Sequence, residues 1–217
     1  MTDTQPTSKE PTDNLWEAIY TQRAIRYWQD TPVPRDMLEK VIEAGSKAPS
    51  GSNGQPWRFM VIDDKDQRKA ISAALRAVVD GNEALQQKIE SGAESKDKTE
   101  RLMMQGARDF FTKLEKAPAM IFPCLYQISS PTPDPTTLVA GSSIYLAVQN
   151  ILLSARGLGL GTVMTTAHQM IDAQIRDIMS LPDDVYPVAM IPIGYPAANF
   201  GPTNRKPVEE ILHWNKW

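Results

Sequence analysis

Several residue types on which common catalytic and structural sites depend are scarce in this sequence. Its 217 residues include one cysteine, Cys124, and two histidines, His168 and His213. One cysteine excludes an internal disulfide, and this small set leaves no credible zinc site or Cys/His dyad. Because Cys124 stands in the apolar stretch 119–126, we predict a buried, inert thiol rather than a nucleophile.

An excess of basic residues is also absent. The 23 lysines and arginines are outnumbered by 26 aspartates and glutamates, which gives a net charge of -3 and disfavours nucleic-acid binding through a broad basic face. Residues 1–14 have no apolar core of the kind a secretory signal needs, so we expect a disordered tail and a cytoplasmic protein. The longest uncharged stretch, 138–155, carries several serine and amide side chains, which favours a buried helix over a membrane span.

Common catalytic motifs are missing as well. The sequence contains neither a G-x-S-x-G motif nor a Walker motif. Glycines 157, 159 and 161 superficially resemble a dinucleotide-binding fingerprint, but they follow a predicted helix and precede a predicted strand, the reverse of the order required. They are predicted to cap the helix. Hydrolysis, phosphoryl transfer and metal chemistry are therefore disfavoured, and cofactor chemistry or binding is left.

Helical and strand patterns alternate along the chain. Apolar residues recur at helical spacing over 34–47, and further helices are predicted over 66–79, over the nearly uncharged segment 138–156, and over 172–180. Residues typical of strands concentrate in four others: 57–62, 119–126, 161–165 and 186–193. The highly charged segment 82–116 has helical spacing, and we interpret it as a solvent-side lid. Together these patterns predict one α+β domain over residues 15–217, ending in an arm over 200–217 that is rich in proline, asparagine and aromatic residues.

Two segments carry side chains suited to a ligand. Arg23 and Arg26 are three residues apart, so their guanidinium groups can hold a phosphate, although spacing alone favours a solvated pair at a helix end. The loop 48–57 concentrates glycine, proline, serine and amide residues before a strand. Its backbone N–H groups and amide side chains can meet a planar heterocycle, while an ordinary helix-to-strand connection is the alternative.

These two segments and three later motifs, taken together, resemble the nitroreductase family. The motifs in chain order are 23–27 (RAIRY), 48–57 (APSGSNGQPW), 159–162 (GLGT), 193–196 (IGYP) and 205–211 (RKPVEEI). Each is short, but their order over nearly the whole of residues 15–217 is specific. The resemblance implies an FMN-dependent α+β oxidoreductase with a mostly antiparallel central sheet flanked by helices. It also implies an intertwined homodimer with FMN at the subunit interface.

The resemblance further implies which residues bind FMN. Arg23 and Arg26 match positions that hold the phosphate and ribityl groups, and Arg205 matches a basic residue that completes the phosphate site. Where the family commonly has a second basic residue and a serine, this chain has Gln22 and Ala24, so Arg23 would bear more of the phosphate contact. The loop meets the flavin, and residues 164–166 lie beside the isoalloxazine edge. The full implied set is Arg23, Ala24, Arg26, Pro49, Ser50, Gly51, Asn53, Gln55, Met164, Thr165, Thr166 and Arg205.

The implied activity is a ping-pong reaction. NADH or NADPH passes a hydride to the flavin, and the reduced flavin then reduces a nitroaromatic, quinone or related electrophilic acceptor. No side chain is predicted to be catalytic and no metal is predicted, because the flavin carries the chemistry. Two alternatives stay open: a flavin-dependent reductive dehalogenase of the same fold, and a flavin-binding protein without turnover. Residues 82–116, where the family varies its lid, contain no convincing set of dehalogenase substrate-clamping residues.

Overall fold

The structure is a computed structural model that describes residues 8–126 and 134–217. The helices of this part are α1 (Leu15–Thr21), α2 (Arg35–Ser46), α3 (Lys65–Asp80), α4 (Glu83–Ala93), α5 (Lys98–Lys113), α6 (Leu138–Gly157) and α7 (Asp172–Met179). The strands are β1 (Trp57–Ile62), β2 (Ala119–Tyr126), β3 (Gly161–Thr162), β4 (Val185–Pro187) and β5 (Ile191–Gly194). The four predicted helices are all present, and the charged segment 82–116 folds mainly as the pair α4 and α5.

The strands form one antiparallel sheet in the order β1-β2-β5-β3, with β4 also paired to β2. The prediction of a single strand over 186–193 is wrong. Between β4 and β5, the three residues 188–190 face only two residues of β2, Phe122 and Pro123. The extra residue is a β-bulge, and Pro187 and Pro192 have no N–H to give to a continuous ladder.

The predicted strand over 161–165 is shorter than expected. It ends at Thr162, and three residues later Thr165 forms an isolated bridge to Met190, within the bulge. The α+β class and the antiparallel sheet predicted from the sequence are confirmed.

Helices cover both faces of the sheet because side chains of β2 alternate between two cores. Phe122 and Cys124 point to one side, where they pack in a core with residues of α3, α5 and α7. Ile121 packs on the other side with residues of α2 and α6, and Leu125 packs there with the first half of α6. The buried, uncharged helix predicted over 138–156 is therefore α6, which runs antiparallel to β2 from the Leu125 end to the Ala119 end.

The C-terminus of α6 is closed by Gly159. The N–H of Leu160 donates to the carbonyl of Ala155 at 2.7 Å, and the N–H of Gly159 donates to the carbonyl of Arg156 at 3.1 Å. This pair of bonds turns the chain through a left-handed residue, and Gly159 has a φ of 75°. The prediction that the glycines cap this helix is confirmed at Gly159.

The sequence predicts a disordered tail over residues 1–14, of which 1–7 lie outside the described residues. Residues 8–14 are held against the end of α6. The Thr12 N–H donates to the Gly157 carbonyl, and the Arg156 guanidinium donates to the Glu10 carbonyl, both at 2.9 Å. Arg156 is fully buried and also donates to the Glu17 carboxylate of α1 at 2.9 Å. A buried guanidinium needs several acceptors, and the segment predicted to be disordered supplies one of them, the Glu10 carbonyl.

Candidate functional site

The segment between α1 and α2 carries the two arginines predicted to hold a phosphate. It is tied to the edge strand β3: the Ile25 N–H donates to the Thr162 carbonyl at 2.9 Å, and the Trp28 indole N–H donates to the other β3 carbonyl at 3.0 Å. Arg23 and Arg26 are thus presented from irregular backbone beyond the end of α1 and not from a helix. Their placement depends on the sheet edge.

The charges of these arginines have no protein counter-ion. Arg23 is exposed and Arg26 is partly buried, and within residues 8–126 and 134–217 neither side chain makes a salt bridge or a hydrogen bond. Burial is the largest effect on the pKa of Arg26 and lowers it, the neighbouring Tyr27 raises it, and the nearby Arg23 charge lowers it. A partly desolvated cation beside a second cation favours an anionic ligand with several acceptor oxygens, and a phosphate has these properties.

The segment 164–166 follows β3 directly, so it lies along the same edge of the sheet as the arginines. Thr165 exchanges two backbone hydrogen bonds with Met190, at 2.8 and 3.0 Å, and its hydroxyl accepts from the Ala167 N–H at 3.1 Å. Met164 and Thr166 are exposed on either side. A fixed backbone with exposed neighbours can line the edge of a planar ligand.

The loop predicted to meet the flavin has a strained backbone. Ser52, Asn53 and Gln55 all have positive φ, at 51°, 53° and 45°. The Ser50 hydroxyl accepts from the Gln55 N–H at 3.0 Å, and the Gln55 amide donates to the Asn53 side chain at 3.2 Å. Non-glycine residues adopt this conformation at a cost of about 1–2 kcal/mol each, and such strain concentrates at ligand sites.

This loop and the arginine segment lie at opposite ends of β2. Trp57, the last residue of the loop, pairs with Leu125 at one end of β2. At the other end, Ala119 pairs with Ile193 of β5, and Ile193 pairs in turn with Thr162 beside the arginines. The six residue steps between Ala119 and Leu125 correspond to roughly 20 Å of strand. The Gly51 N–H also donates to the Ser143 hydroxyl in the first half of α6, at 3.3 Å, which keeps the loop at its own end. Within one chain, the loop and the arginine segment are therefore not brought together.

Arg205, the third predicted phosphate ligand, lies in the C-terminal arm. Within the described residues its guanidinium donates only to the Asn204 carbonyl, at 2.8 Å. All residues from 204 to 217 are exposed, including Val208, Ile211 and Trp214.

A cluster on α5 was not predicted from the sequence. The Tyr27 hydroxyl donates to the Asp109 carboxylate, and the other oxygen of that carboxylate is 3.2 Å from Lys113 Nζ. The Arg26 side chain lies against Gly106 one turn earlier. The spacing of Asp109 and Lys113 indicates an ion pair within a helix, but nothing in the sequence indicates contact with Tyr27, 82 residues away.

Other chemistry suggested by residue type finds no support. Cys124 is fully buried, and burial raises the pKa of its thiol to about 12, which confirms the prediction of an inert cysteine. In the part of the chain that the structure describes, no cluster of three or more His, Cys, Asp or Glu side chains could hold a metal ion. Among the described helices, only α6 is long and apolar enough to cross a membrane, and one of its faces packs into the core.

Comparison with known proteins identifies the family. The Nitroreductase family matches residues 19–195. A protein of Methanothermobacter thermautotrophicus named for NADH dehydrogenase and NAD(P)H nitroreductase is 32% identical over 206 residues, which cover 94% of this chain and 88% of that protein. Iodotyrosine deiodinase of Danio rerio is 26% identical over 204 residues, 90% of this chain and 66% of that protein.

Solved structures agree with the sequence matches. The crystal structure of a protein from Parabacteroides distasonis, also named for NADH dehydrogenase and NAD(P)H nitroreductase, superposes with a TM-score of 0.66 at 27% identity, covering 94% of this chain and 98% of that one. The residues that match the family contain the first three motifs and most of the fourth, and the match agrees with the antiparallel sheet between helical layers. This chain belongs to the nitroreductase family.

Proposed function

We propose that this chain is an FMN-dependent NAD(P)H oxidoreductase that reduces nitroaromatic, quinone or related electrophilic acceptors by a ping-pong mechanism. The observation that carries the proposal is the pair Arg23 and Arg26, two cations on the β3 edge without a protein counter-ion among the described residues. FMN, when bound, supplies the hydride and electron transfer. The relatives named above support NADH or NADPH as the electron donor.

The chain's residues fit an FMN phosphate by the chemistry of their donor groups. Guanidinium groups stay charged at all physiological pH values and offer several N–H donors each, so Arg23 and Arg26 would hold the phosphate without titrating. Segment 164–166 would line the isoalloxazine edge, where the bridge to Met190 keeps its backbone fixed. Pro49, Ser50, Gly51, Asn53 and Gln55 would face the flavin from the loop, and Arg205 would add a third cation to the phosphate. No side chain is proposed to act as a nucleophile.

The site is complete only in a homodimer. Because the loop and the arginine segment lie at opposite ends of β2, we infer that a second copy supplies the loop to the flavin held by Arg23 and Arg26. The exposed face of α6 offers an apolar contact surface for that copy, with Leu138, Val139, Tyr145 and Leu146 each at least 41% exposed. FMN would then lie at the subunit interface.

The exposed arm fits the same assembly. An apolar groove of about 570 Å³ runs between α2 and the edge strand β1 and is lined by Leu38, Ile42, Phe59 and Val61 among charged residues. We infer that the arm of a second copy occupies this groove, because the arm's apolar side chains are exposed in its own chain. Edge strands and apolar grooves of this kind are commonly covered by another element.

The decisive experiment is an absorption spectrum of the purified protein, followed by anaerobic addition of NADH and of NADPH. We expect flavin bands that bleach with at least one nucleotide and return when a nitroaromatic or a quinone is added. A colourless protein that cannot be reconstituted with FMN would overturn the proposal. Bound flavin that neither nucleotide reduces would instead identify a flavin-binding protein without turnover.

A second candidate is reductive dehalogenation, which the similarity to iodotyrosine deiodinases favours. The test is anaerobic incubation of the dithionite-reduced holoprotein with 3-iodo-L-tyrosine and measurement of released iodide. Stoichiometric iodide release would support this reaction. Reduction of nitroaromatics without iodide release would leave the first proposal alone. For either reaction a cytoplasmic location remains part of the proposal.

A further inference from the structure

Arg26 rests on the surface of α5, at a point where that helix has no side chain. A Cβ atom placed on Gly106 would lie 3.3 Å from Arg26 Nη1 and 3.5 Å from Cζ. The 3.3 Å contact is tighter than most Cβ contacts, so a methyl group at position 106 would displace the guanidinium by a few tenths of an ångström and a larger side chain would displace it further. Gly106 therefore leaves room for the position that Arg26 adopts.

A second contact fixes α5 to the same segment one turn later. Tyr27 follows Arg26 directly, and its hydroxyl donates to Asp109. Lys113 bonds the other carboxylate oxygen and lies 4.9 Å from the centroid of the Tyr27 ring. The side chain of Tyr27 is thus held by a carboxylate and a cation that both belong to α5.

The two contacts belong to one face of α5, because Gly106 and Asp109 are three residues apart. The segment they meet is itself rigid, since its Ile25 and Trp28 are buried and bonded to β3. We propose that α5 is a positioning element for the flavin phosphate: Gly106 seats the Arg26 guanidinium, and the Tyr27–Asp109–Lys113 cluster keeps the helix in place. The inference rests on the proposed FMN site and adds two positioning residues to it, Gly106 and Asp109.

The arrangement couples the charged segment 82–116 to the phosphate site. Whatever holds α5 in place favours phosphate binding, and by reciprocity a bound phosphate stabilises α5 in that place. The coupling concerns the phosphate alone, because the contacts act through Arg26. Riboflavin, which has the same ring system without the phosphate, should not respond to it.

The test compares FMN with riboflavin in two variants of the full chain, G106L and D109N. We expect each variant to weaken FMN binding about tenfold or more, the loss typical of one charge-assisted hydrogen bond, and to leave riboflavin affinity unchanged. The ratio of the two dissociation constants, measured by fluorescence quenching of each flavin, is the readout. A general loss of folding would lower both affinities, so this ratio separates positioning from structural damage.

The matched control is E100Q, which removes a carboxylate from the first turn of the same helix, away from Tyr27. It should keep the wild-type ratio. If G106L does not fold, G106A replaces it: alanine raises helix propensity, so a fall in FMN affinity without a fall in melting temperature still supports the inference.

Two outcomes distinguish failure of this inference from failure of the proposed function. Wild-type protein that binds neither flavin defeats the proposed function itself. Wild-type protein that prefers FMN, together with variants that keep the same preference, overturns the role of α5 alone. Hydrogen exchange gives an independent readout: FMN, but not riboflavin, should protect the amides of α5 in the wild type, and D109N should lose that protection.

Discussion

His168 is a buried titratable residue close to the proposed flavin-edge segment. Its ring lies edge-on to Phe122, with 6.2 Å between ring centroids, and its Nε2 is 3.1 Å from the Pro187 carbonyl. Burial is the largest effect on this group and lowers its pKa below the usual value of about 6.5. The unfolded chain then binds more protons below that pH. The stability given by the neutral ring is therefore present above about pH 6.5 and is lost as the pH falls through the folded-state pKa.

We expect H168Q to flatten the pH dependence of the free energy of unfolding below about pH 6.5. The wild-type contribution of one such group is at most about 1.4 kcal/mol per pH unit. Urea unfolding of H168Q and the wild type at several pH values measures this pH dependence. Equal slopes in H168Q and the wild type would show that His168 does not titrate differently on unfolding.

Two arginine–carboxylate pairs with the same 2.9 Å distance should differ greatly in their effect on stability. Arg156 is fully buried against Glu17, whereas the pair of Arg176 and Asp172 within α7 is more accessible, its side chains being 27% and 49% exposed. We expect R156M to destabilise the protein by about 3–5 kcal/mol, because it leaves a partly buried carboxylate and a backbone acceptor without their donor. R176M should cost less than about 1 kcal/mol. Similar losses in chemical denaturation would contradict this reasoning.

At the scale of elements, the end of α6 depends on one backbone conformation. Gly159 has a φ of 75°, and a Cβ atom there would lie 3.2 Å from Pro11 Cγ and 3.3 Å from the Lys9 carbonyl. We expect G159A to lower the free energy of unfolding by about 1–2 kcal/mol, from backbone strain and from displacement of the N-terminal segment. G51A is the control, since a Cβ atom at Gly51 meets nothing within 4 Å. Equal melting temperatures for G159A and G51A would contradict this prediction.

The charged pair α4 and α5 is only partly a surface element. Phe110, in the last turn of α5, and Leu114, just beyond it, belong to the core that contains Phe122 and Cys124 of β2. Leu102 and Met103, in its first turns, are exposed. A lid role for 82–116 remains a proposal. Because Phe110 and Leu114 are packed in the core, only the residues before Phe110 could move as a lid without loss of core packing.

At the scale of the whole molecule, the arm should hold the dimer together. Deleting residues 208–217 keeps Arg205 but removes every large apolar side chain of the arm beyond it. We expect this deletion to give monomers with greatly reduced FMN occupancy, measured by light scattering after size exclusion and by the ratio of flavin to protein absorbance. A stable monomer with full FMN occupancy would refute both the arm's role and the shared site.

A point variant tests the same assembly with less disturbance. I211D places a charge on the arm, and L102D places one at a similarly exposed position of α5, the two side chains being 62% and 56% exposed. Burial of an unpaired charge in an interface costs several kcal/mol, so I211D should weaken the dimer and L102D should not. Equal dissociation in the two variants would argue against burial of the arm.

Much of the fold could be predicted from the sequence because the responsible signals are local. The apolar spacing of α2 predicted that helix, since a helix that packs on a sheet repeats its apolar face every 3.6 residues, and the uncharged stretch 138–155 predicted α6. The strands β1 and β2 were found from runs of β-branched and aromatic residues. The strand 186–193 was misjudged because its bulge follows from the residues of β2 opposite it, which composition does not reveal.

The sequence by itself determined the family, through five short motifs in order, and the resemblance that these motifs carry supplied the candidate flavin ligands. Only the tertiary structure decided how those ligands are distributed. It placed Arg26 on Gly106 of α5, joined Tyr27 to Asp109, and separated the loop from the arginines by the length of β2. Contacts between residues far apart in the chain depend on strand register and helix packing, and neither is encoded in any single segment.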